Sequence, residues 1–231
     1  MKPVMDALPI DFSIHVDFVR WLPNCFAVML PGLLITFAAL LYRLLFVLAG
    51  SPATWANFSP LTSIFLCSAV FLPQRRLVIW PALGVLVSDA LINAHFHSSM
   101  LDTRMIPGYF CFGISFLLGA WLRGTARRTF WLLAATVFSS FFFYVVTNTA
   151  AWYFDSPAPL TIPLYPKNFG GWLQALTVGH PGFPPTWLFF RHTLLSDLLF
   201  TSLFVLGQSL FTRKAVSAAS DLPRPTYPSS V

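Results

Sequence analysis

Residues 57–93 decide the fold, and they read NFSPLTSIFLCSAVFLPQRRLVIWPALGVLVSDALIN. Two apolar runs, Leu61–Leu72 and Leu77–Leu91, lie on either side of the basic turn Pro73–Arg76. Apolar runs of this length, separated by a proline-containing turn, predict two short helices that form a hairpin. Asp89 lies near the end of the second run. A carboxylate in an apolar helix is costly enough to indicate a functional site.

The composition of the whole chain is that of a membrane protein. Of its 231 residues, 56% are hydrophobic and 10% are charged, and the mean hydropathy is +0.70. Soluble domains contain about 25% charged residues, so this composition excludes an ordinary soluble protein. We expect the formal net charge of +6 to lie in cytoplasmic loops. No nucleic-acid partner is predicted, because no soluble segment interleaves basic and aromatic residues.

Six apolar segments predict an all-α, polytopic fold with six transmembrane helices, since about 20 apolar residues cross the hydrocarbon layer. The two runs quoted above are short, and a re-entrant hairpin is the alternative to two tilted spans. Residues 1–21 are predicted to be a cytoplasmic or interfacial segment, 22–211 the membrane domain, and 212–231 a disordered cytoplasmic tail. Residues 155–185 are too rich in Pro and Gly to span. The predicted spans are Leu22–Leu48, Leu61–Leu72, Leu77–Leu91, Ile106–Leu122, Thr129–Trp152 and Trp187–Phe211.

The basic residues predict the orientation of these helices. With six spans, three basic clusters fall on one side of the bilayer, and the positive-inside rule makes that side cytoplasmic. Both termini are then cytoplasmic, and the chain is predicted to be a multi-pass protein of the inner (plasma) membrane. The clusters are Arg75 with Arg76, Arg123 with Arg127 and Arg128, and Arg213 with Lys214.

Polar residues from several predicted helices fall at the outer ends of the spans, as an outward-facing pocket requires. Four-residue spacing predicts two inward stripes, Tyr144/Asn148/Trp152 and Thr193/Asp197/Thr201. Asp197 is the deepest charge, and a buried carboxylate needs a partner, which we expect from another helix or from a ligand. The predicted substrate-binding residues are Asp89, Tyr109, Asn148, Trp152, Arg191 and Asp197.

Two other interpretations of these residues stay open. Buried Asp, Asn and Thr also hold membrane helices together, which would make the protein a non-catalytic structural subunit. His95 and His97, with Asp102, form a weak metal-binding pattern. A metal held by Asp89, His95, His97 or Asp102 would make the protein a membrane-embedded, metal-dependent enzyme. The chain has neither a GxSxG nor a Walker A motif. The preferred interpretation therefore includes no catalytic residue, no metal and no cofactor.

Several separated motifs make the chain similar to a family of uncharacterised bacterial integral membrane proteins. That family carries N-x-x-P before helix 2, S-D at the end of helix 3, F-x-x-x-T-N-x-x-x-W in helix 5 and Y-P-x-x-x-x-G in the next loop. The resemblance covers about Asn57–Phe211, and an acid in the final helix, here Asp197, also matches. The matching motif residues are Asn57/Pro60, Ser88/Asp89, Phe143/Thr147/Asn148/Trp152 and Tyr165/Pro166/Gly171.

The helical plan of this family resembles that of the substrate-binding (S) components of energy-coupling-factor transporters. The resemblance implies six helices, cytoplasmic termini and a binding site near the outer face. It implies a protein that binds and transports a small organic solute, with a separate ATPase and coupling module as its partner. S components present small residues on helix 1 to that module. Here Ala39 is followed at this spacing by Arg43, so a protein that acts alone is the alternative.

Overall fold

The computed structural model of the chain describes residues 30, 32–50, 58–72, 79–97, 105–125, 128–154 and 165–220, with side chains described as far as 211. Within these ranges the fold is all-helical, as the sequence predicts. The predicted cytoplasmic segment 1–21 and the basic turn at 73–76 lie outside them. The seven helices are α1 Gly32–Leu48, α2 Leu61–Phe71, α3 Ile79–His95, α4 Ile106–Leu122, α5 Arg128–Phe154, α6 Phe169–Leu176 and α7 Thr186–Ser220.

Most helix boundaries lie close to the predicted spans. α4 has the predicted ends, and α2 ends one residue before the predicted Leu72. α5 is longer than its predicted span at both ends, and α3 continues to His95 rather than ending at Leu91.

The helices depart from the prediction in two places. α6 is an additional helix inside the segment that was predicted not to span, and it begins where the Asn168 side chain accepts a hydrogen bond from the Gly171 amide at 2.9 Å. α7 continues to Ser220, whereas the prediction ended the last helix at Phe211. Residues 212–220 contain neither Pro nor Gly, so nothing in the sequence stops the helix there.

Two helices are long and apolar enough to cross a membrane. They are Arg128–Phe154, with 27 residues, and the apolar part of α7, Thr186–Phe211, with 26 residues. α1, α2 and α4 are also apolar but have 10–17 residues each. Helix length therefore supports two spans among the described residues, and the six-span topology with cytoplasmic termini stays a prediction.

α2 is the central helix of the bundle, although it has only 11 residues. It packs against α3, α4, α5 and α7, and every residue from Thr62 to Val70 is buried. A helix that is apolar around its whole circumference buries all of its faces. At about 1.5 Å per residue, α2 is much shorter than a hydrocarbon layer of about 30 Å. It is therefore an internal helix of the bundle.

Charged side chains of other helices hold the two ends of α2. Arg123, which follows α4, donates to the Ala69 carbonyl from Nε at 3.0 Å and to the Leu72 carbonyl from Nη2 at 2.6 Å. At the other end the N-cap is Pro60, which has no side-chain acceptor, and Asp197 of α7 accepts from the Ser63 amide at 3.0 Å. A cation at the carboxyl end and an anion at the amino end both complement the helix dipole.

Gly119 allows α2 and α4 to approach closely. A Cβ atom at Gly119 would lie 2.3 Å from the Leu66 carbonyl oxygen and 2.8 Å from the Ala69 Cβ. Small residues at a helix interface let the backbones come near enough for extended van der Waals contact. The packing of α4 on the central helix therefore depends on the missing side chain.

The bundle is unusually polar inside and apolar outside. Among the described residues, 17 polar or charged residues are buried, compared with 15 hydrophobic ones. Large apolar side chains are exposed on several helices, among them Phe37 (66%), Leu117 (61%) and Trp121 (74%). Apolar surface of this extent is rare on soluble monomers, and hydroxyl-rich interfaces are typical of helices that pack in lipid.

Replacing Gly119 by alanine tests the close approach of α2 and α4. We expect Gly119→Ala to lower the free energy of unfolding of the purified protein by about 1–3 kcal/mol, because the added methyl group clashes with the α2 backbone. Gly113→Ala is the matched control on α4, because a Cβ at Gly113 meets no atom within 4 Å. The control is expected to be neutral or slightly stabilising. Equal stability of the two variants would contradict the packing described above.

Candidate functional site

An ion pair joins α1 to α3. Arg43 Nη2 donates to Asp89 Oδ1 at 2.5 Å, and Arg43 Nη1 donates to the hydroxyl of Ser88. The Tyr109 hydroxyl on α4 donates to the second carboxylate oxygen, Asp89 Oδ2, at 2.7 Å. Both oxygens of Asp89 therefore have donors. Three helices meet at this carboxylate, and the charge inside an apolar bundle is compensated.

Asp89 and Tyr109 were both predicted as site residues, whereas Arg43 was not. The missed signal is that Arg43 lies within an apolar helix and, in the predicted topology, at the same side of the bilayer as Asp89. An intramembrane charge is rarely left without a partner, so each of the two charges predicts the other.

Asp197 is the second acidic centre and is completely buried. Besides the Ser63 amide, it accepts hydrogen bonds from the Thr62 hydroxyl and, at 2.7 Å, from the Ser140 hydroxyl. These donors belong to α2 and α5, so Asp197 ties three helices together. The partner predicted for this carboxylate is a set of neutral donors from other helices. No ion pair to Asp197 is present in the part of the chain that the structure describes.

Hydroxyl groups continue this network toward the opposite end of α7. The Thr136 and Thr201 hydroxyls are 3.0 Å apart, and Cys67 Sγ lies 3.8 Å from the Thr201 hydroxyl. Thr193, Asp197 and Thr201, the predicted inward stripe of the last helix, are all buried. Hydrogen bonds of this kind hold helices together where the hydrophobic effect contributes little between them.

A cavity of about 210 Å³ lies beside the Arg43–Asp89 pair, at the amino end of α2. Its polar wall is formed by Arg43, Ser59, Thr62 and Thr193. The Ser59 hydroxyl is buried and has no hydrogen-bond partner within the described ranges. A buried polar atom without a partner is uncommon in folded proteins, and one in a cavity wall indicates a ligand or water molecule as its partner.

Aromatic rings form much of the apolar wall. Phe112 stacks on Phe65 with ring centroids 5.2 Å apart, and on Phe143 with centroids 5.7 Å apart. The stack therefore crosses from α2 through α4 to α5. Phe112 and Phe143 present this stack to the cavity, and the remaining apolar lining is formed by Phe46, Val47, Phe58 and Leu61.

A second, smaller cavity of about 130 Å³ adjoins the first. Phe143 and Thr193 belong to the walls of both, so they separate the two spaces. Asn148 lines the smaller cavity, and its side-chain amide donates to the Tyr144 carbonyl of the same helix at 2.8 Å. Asn148 thus lies near the larger cavity without lining it.

Two predicted site residues lie away from both cavities. Arg191 is exposed, with Nη2 3.5 Å from the Nε2 atom of the buried His192. Trp152 donates from Nε1 to the Pro166 carbonyl at 2.9 Å and lines neither cavity. Arg191 lies six residues from Asp197, so it points to a different side of α7.

The Y-P-x-x-x-x-G motif forms a structural joint between α5 and α6. A Cβ atom at Gly171 would lie 1.9 Å from the Pro166 carbonyl oxygen, which is also the acceptor for Trp152. Trp172 donates from Nε1 to the Thr149 hydroxyl at 3.0 Å and adds a second link to α5. Trp152 is therefore bound to this loop, which explains why it does not line the cavity.

The metal-binding interpretation of the His95–Asp102 segment receives no support from the described residues. His95 and His97 are exposed, while Asp102 lies outside the described ranges. No group of three His, Cys, Asp or Glu side chains suited to a metal ion occurs in the ranges that the structure covers. Asp89, the other acid of that interpretation, is engaged by Arg43 and Tyr109.

Removing the carboxylate of Asp197 tests its role as a helix connector. We expect Asp197→Ala to lower the free energy of unfolding by at least about 3 kcal/mol, because each buried donor left without an acceptor costs about 1–3 kcal/mol. Asp197→Asn keeps one acceptor oxygen and should lose less. Ser202→Ala is the control on α7, because its exposed hydroxyl bonds only the Leu198 carbonyl. If Asp197→Ala is as stable as this control, the connector role is wrong.

A double-mutant cycle tests the ion pair between α1 and α3. We expect Arg43→Gln and Asp89→Asn each to destabilise the protein, because each leaves an opposite charge without its partner. The double variant should be more stable than the sum of the two losses implies, by about 1–3 kcal/mol. Unfolding of the four purified proteins measures this coupling, and strictly additive losses would contradict a direct interaction.

Comparison with known proteins identifies the family. A model of the family of unknown function DUF6580 matches residues 24–220, and the chain belongs to that family. No curated protein and no solved structure matches it. Membership of a family without an assigned function is thus confirmed, and the likeness to S components stays a prediction.

Proposed function

We propose that this DUF6580 protein is an integral membrane protein that binds a small organic solute in the cavity beside Arg43 and transports it. In this proposal α1 to α5 and α7 are the six membrane-embedded helices of an S-component-like arrangement, with the short α2 at its centre. Both termini face the cytoplasm of a bacterial cell, and the cavity opens toward the outside. A separate ATPase and coupling module, or the protein acting alone, would complete the transport cycle.

The distribution of apolar surface supports the membrane location. Leu34, Phe37, Leu41 and Leu45 are spaced three or four residues apart on α1, and each is at least 42% exposed. Residues with this spacing share one face of a helix. In lipid such a face needs no protein partner, and α5 and α7 have the length to cross the hydrocarbon layer.

The observation that carries the solute-binding proposal is the cavity itself. It combines aromatic walls with a few polar groups, and one of these, the Ser59 hydroxyl, is buried without a partner in the described part of the chain. Small-molecule sites are concave, mostly apolar and fitted with a small number of positioned polar groups. At about 210 Å³ the cavity suits a small solute rather than a large cofactor.

The predicted site residues take different roles in this proposal. Asp89 and Tyr109 position Arg43 at the cavity wall, and Asn148 lies beside the neighbouring space. Asp197 holds the helices that surround the cavity, which is the connector role that the structural interpretation assigned to it. Arg191 and Trp152 are not part of the proposed site.

Filling the cavity from α1 tests the proposal. We expect wild-type protein, released gently from membranes, to retain a small molecule in native mass spectra, and Val47→Trp to lose it because the indole occupies the space beside Arg43. Leu48→Trp is the matched control, since the neighbouring Leu48 is 37% exposed and does not line the cavity. A bound molecule that persists equally in both variants would contradict binding in this cavity.

A further inference from the structure

The polar wall of the cavity has more hydrogen-bond donors than the protein itself satisfies. Arg43 uses Nη1 for Ser88 and Nη2 for Asp89, and its other N–H groups have no partner among the described residues. A guanidinium is a planar fork of donors with no acceptor. Arg43 lines the cavity, so its remaining donors lie next to the place where a solute would bind.

Ser59 adds a second unsatisfied group to the same wall. Its hydroxyl is buried, has no partner in the described structure and lies at the start of α2. The other two polar residues of the wall already donate within the protein. Thr62 donates to Asp197, and Thr193 donates to the Phe189 carbonyl. The groups that remain for a solute are the other N–H groups of Arg43, which only donate, and the Ser59 hydroxyl, which both donates and accepts. A solute with acceptor atoms satisfies both.

The two carboxylates near the cavity do not form part of its lining. Asp89 is covered on one oxygen by Arg43 and on the other by Tyr109. Asp197 is separated from the cavity by Thr62 and is hydrogen-bonded on both oxygens.

From this geometry we propose that the solute is a small carboxylic acid, bound as its anion, with an aromatic or compact apolar body. The carboxylate accepts from the free N–H groups of Arg43 and from the Ser59 hydroxyl. The apolar body lies against Phe46, Phe112 and Phe143. Paired hydrogen bonds from a guanidinium suit a planar carboxylate better than a single acceptor. This inference rests on the proposed function, because it names the solute class of the same cavity.

Three probes of nearly equal shape and different charge test the inference: benzoate, benzamide and benzylammonium. Binding is measured by titration calorimetry on the full chain in lipid nanodiscs. We expect benzoate to bind about tenfold or more tightly than benzamide, since hydrogen bonds to charged groups are stronger than neutral ones by this order. Benzylammonium should bind more weakly than either probe, because its ammonium group has no acceptor atom for the N–H groups of Arg43.

Two variants show whether the preference comes from the proposed groups. Ser59→Ala should weaken benzoate binding about threefold to tenfold and leave benzamide less affected. Arg43→Lys keeps the charge opposite Asp89 but removes the planar fork, so the preference for benzoate should shrink toward that of a point charge. Because Arg43→Lys can also disturb folding, Ser59→Ala is the variant that keeps the test decisive.

The outcomes separate this inference from the proposed function. If Val47→Trp displaces a bound molecule but benzamide or benzylammonium binds wild-type protein as tightly as benzoate, the carboxylate inference is wrong and the binding proposal stands. Failure of benzoate to bind at millimolar concentration also overturns the inference. If Val47→Trp leaves both the native mass spectrum and benzoate binding unchanged, the cavity is not the site and both proposals fail.

Discussion

The structure depends on how the two ends of the short central helix α2 are held. Every helix has free amides at one end and free carbonyls at the other, and in a dry interior these groups have no water to bind. Asp197 serves the amino end of α2 and Arg123 serves its carboxyl end. Because each charge comes from a different helix, the same interactions that complete α2 also fix α4 and α7 around it.

The structure gives the two buried acidic residues different roles. Both Asp89 and Asp197 are buried acids in apolar helices, and the sequence offers no means of telling their roles apart. Asp197 is surrounded by hydroxyl and amide donors, so its hydrogen bonds stabilise the bundle. Asp89 instead holds an arginine at the wall of a cavity. The two carboxylates therefore differ in their partners. Asp89 is paired with an arginine at the cavity wall, whereas Asp197 is bound by neutral donors between helices.

Much of the fold follows from the sequence, because long apolar runs that end at Pro, Gly or Arg predict helices. This prediction does not depend on how the helices pack together. The presence of Asp89 and Tyr109 in one cluster also follows, since both lie at the outer ends of adjacent predicted helices, but their hydrogen bond was not predicted. The ion pair with Arg43 was not predicted, because a contact between helices far apart in sequence depends on packing that local patterns do not encode. α6 was missed for a related reason: eight residues within a Pro- and Gly-rich segment carry too little periodicity, and Asn168 alone marks its start.

The two cavities share a wall inside the bundle. Phe143 is part of that wall, and it is also the last ring of the stack that begins at Phe65. Any rotation of the Phe143 ring would break its stacking on Phe112, so the stack that joins α2, α4 and α5 also holds this wall in place. The packing that stabilises the bundle therefore also keeps the two cavities apart.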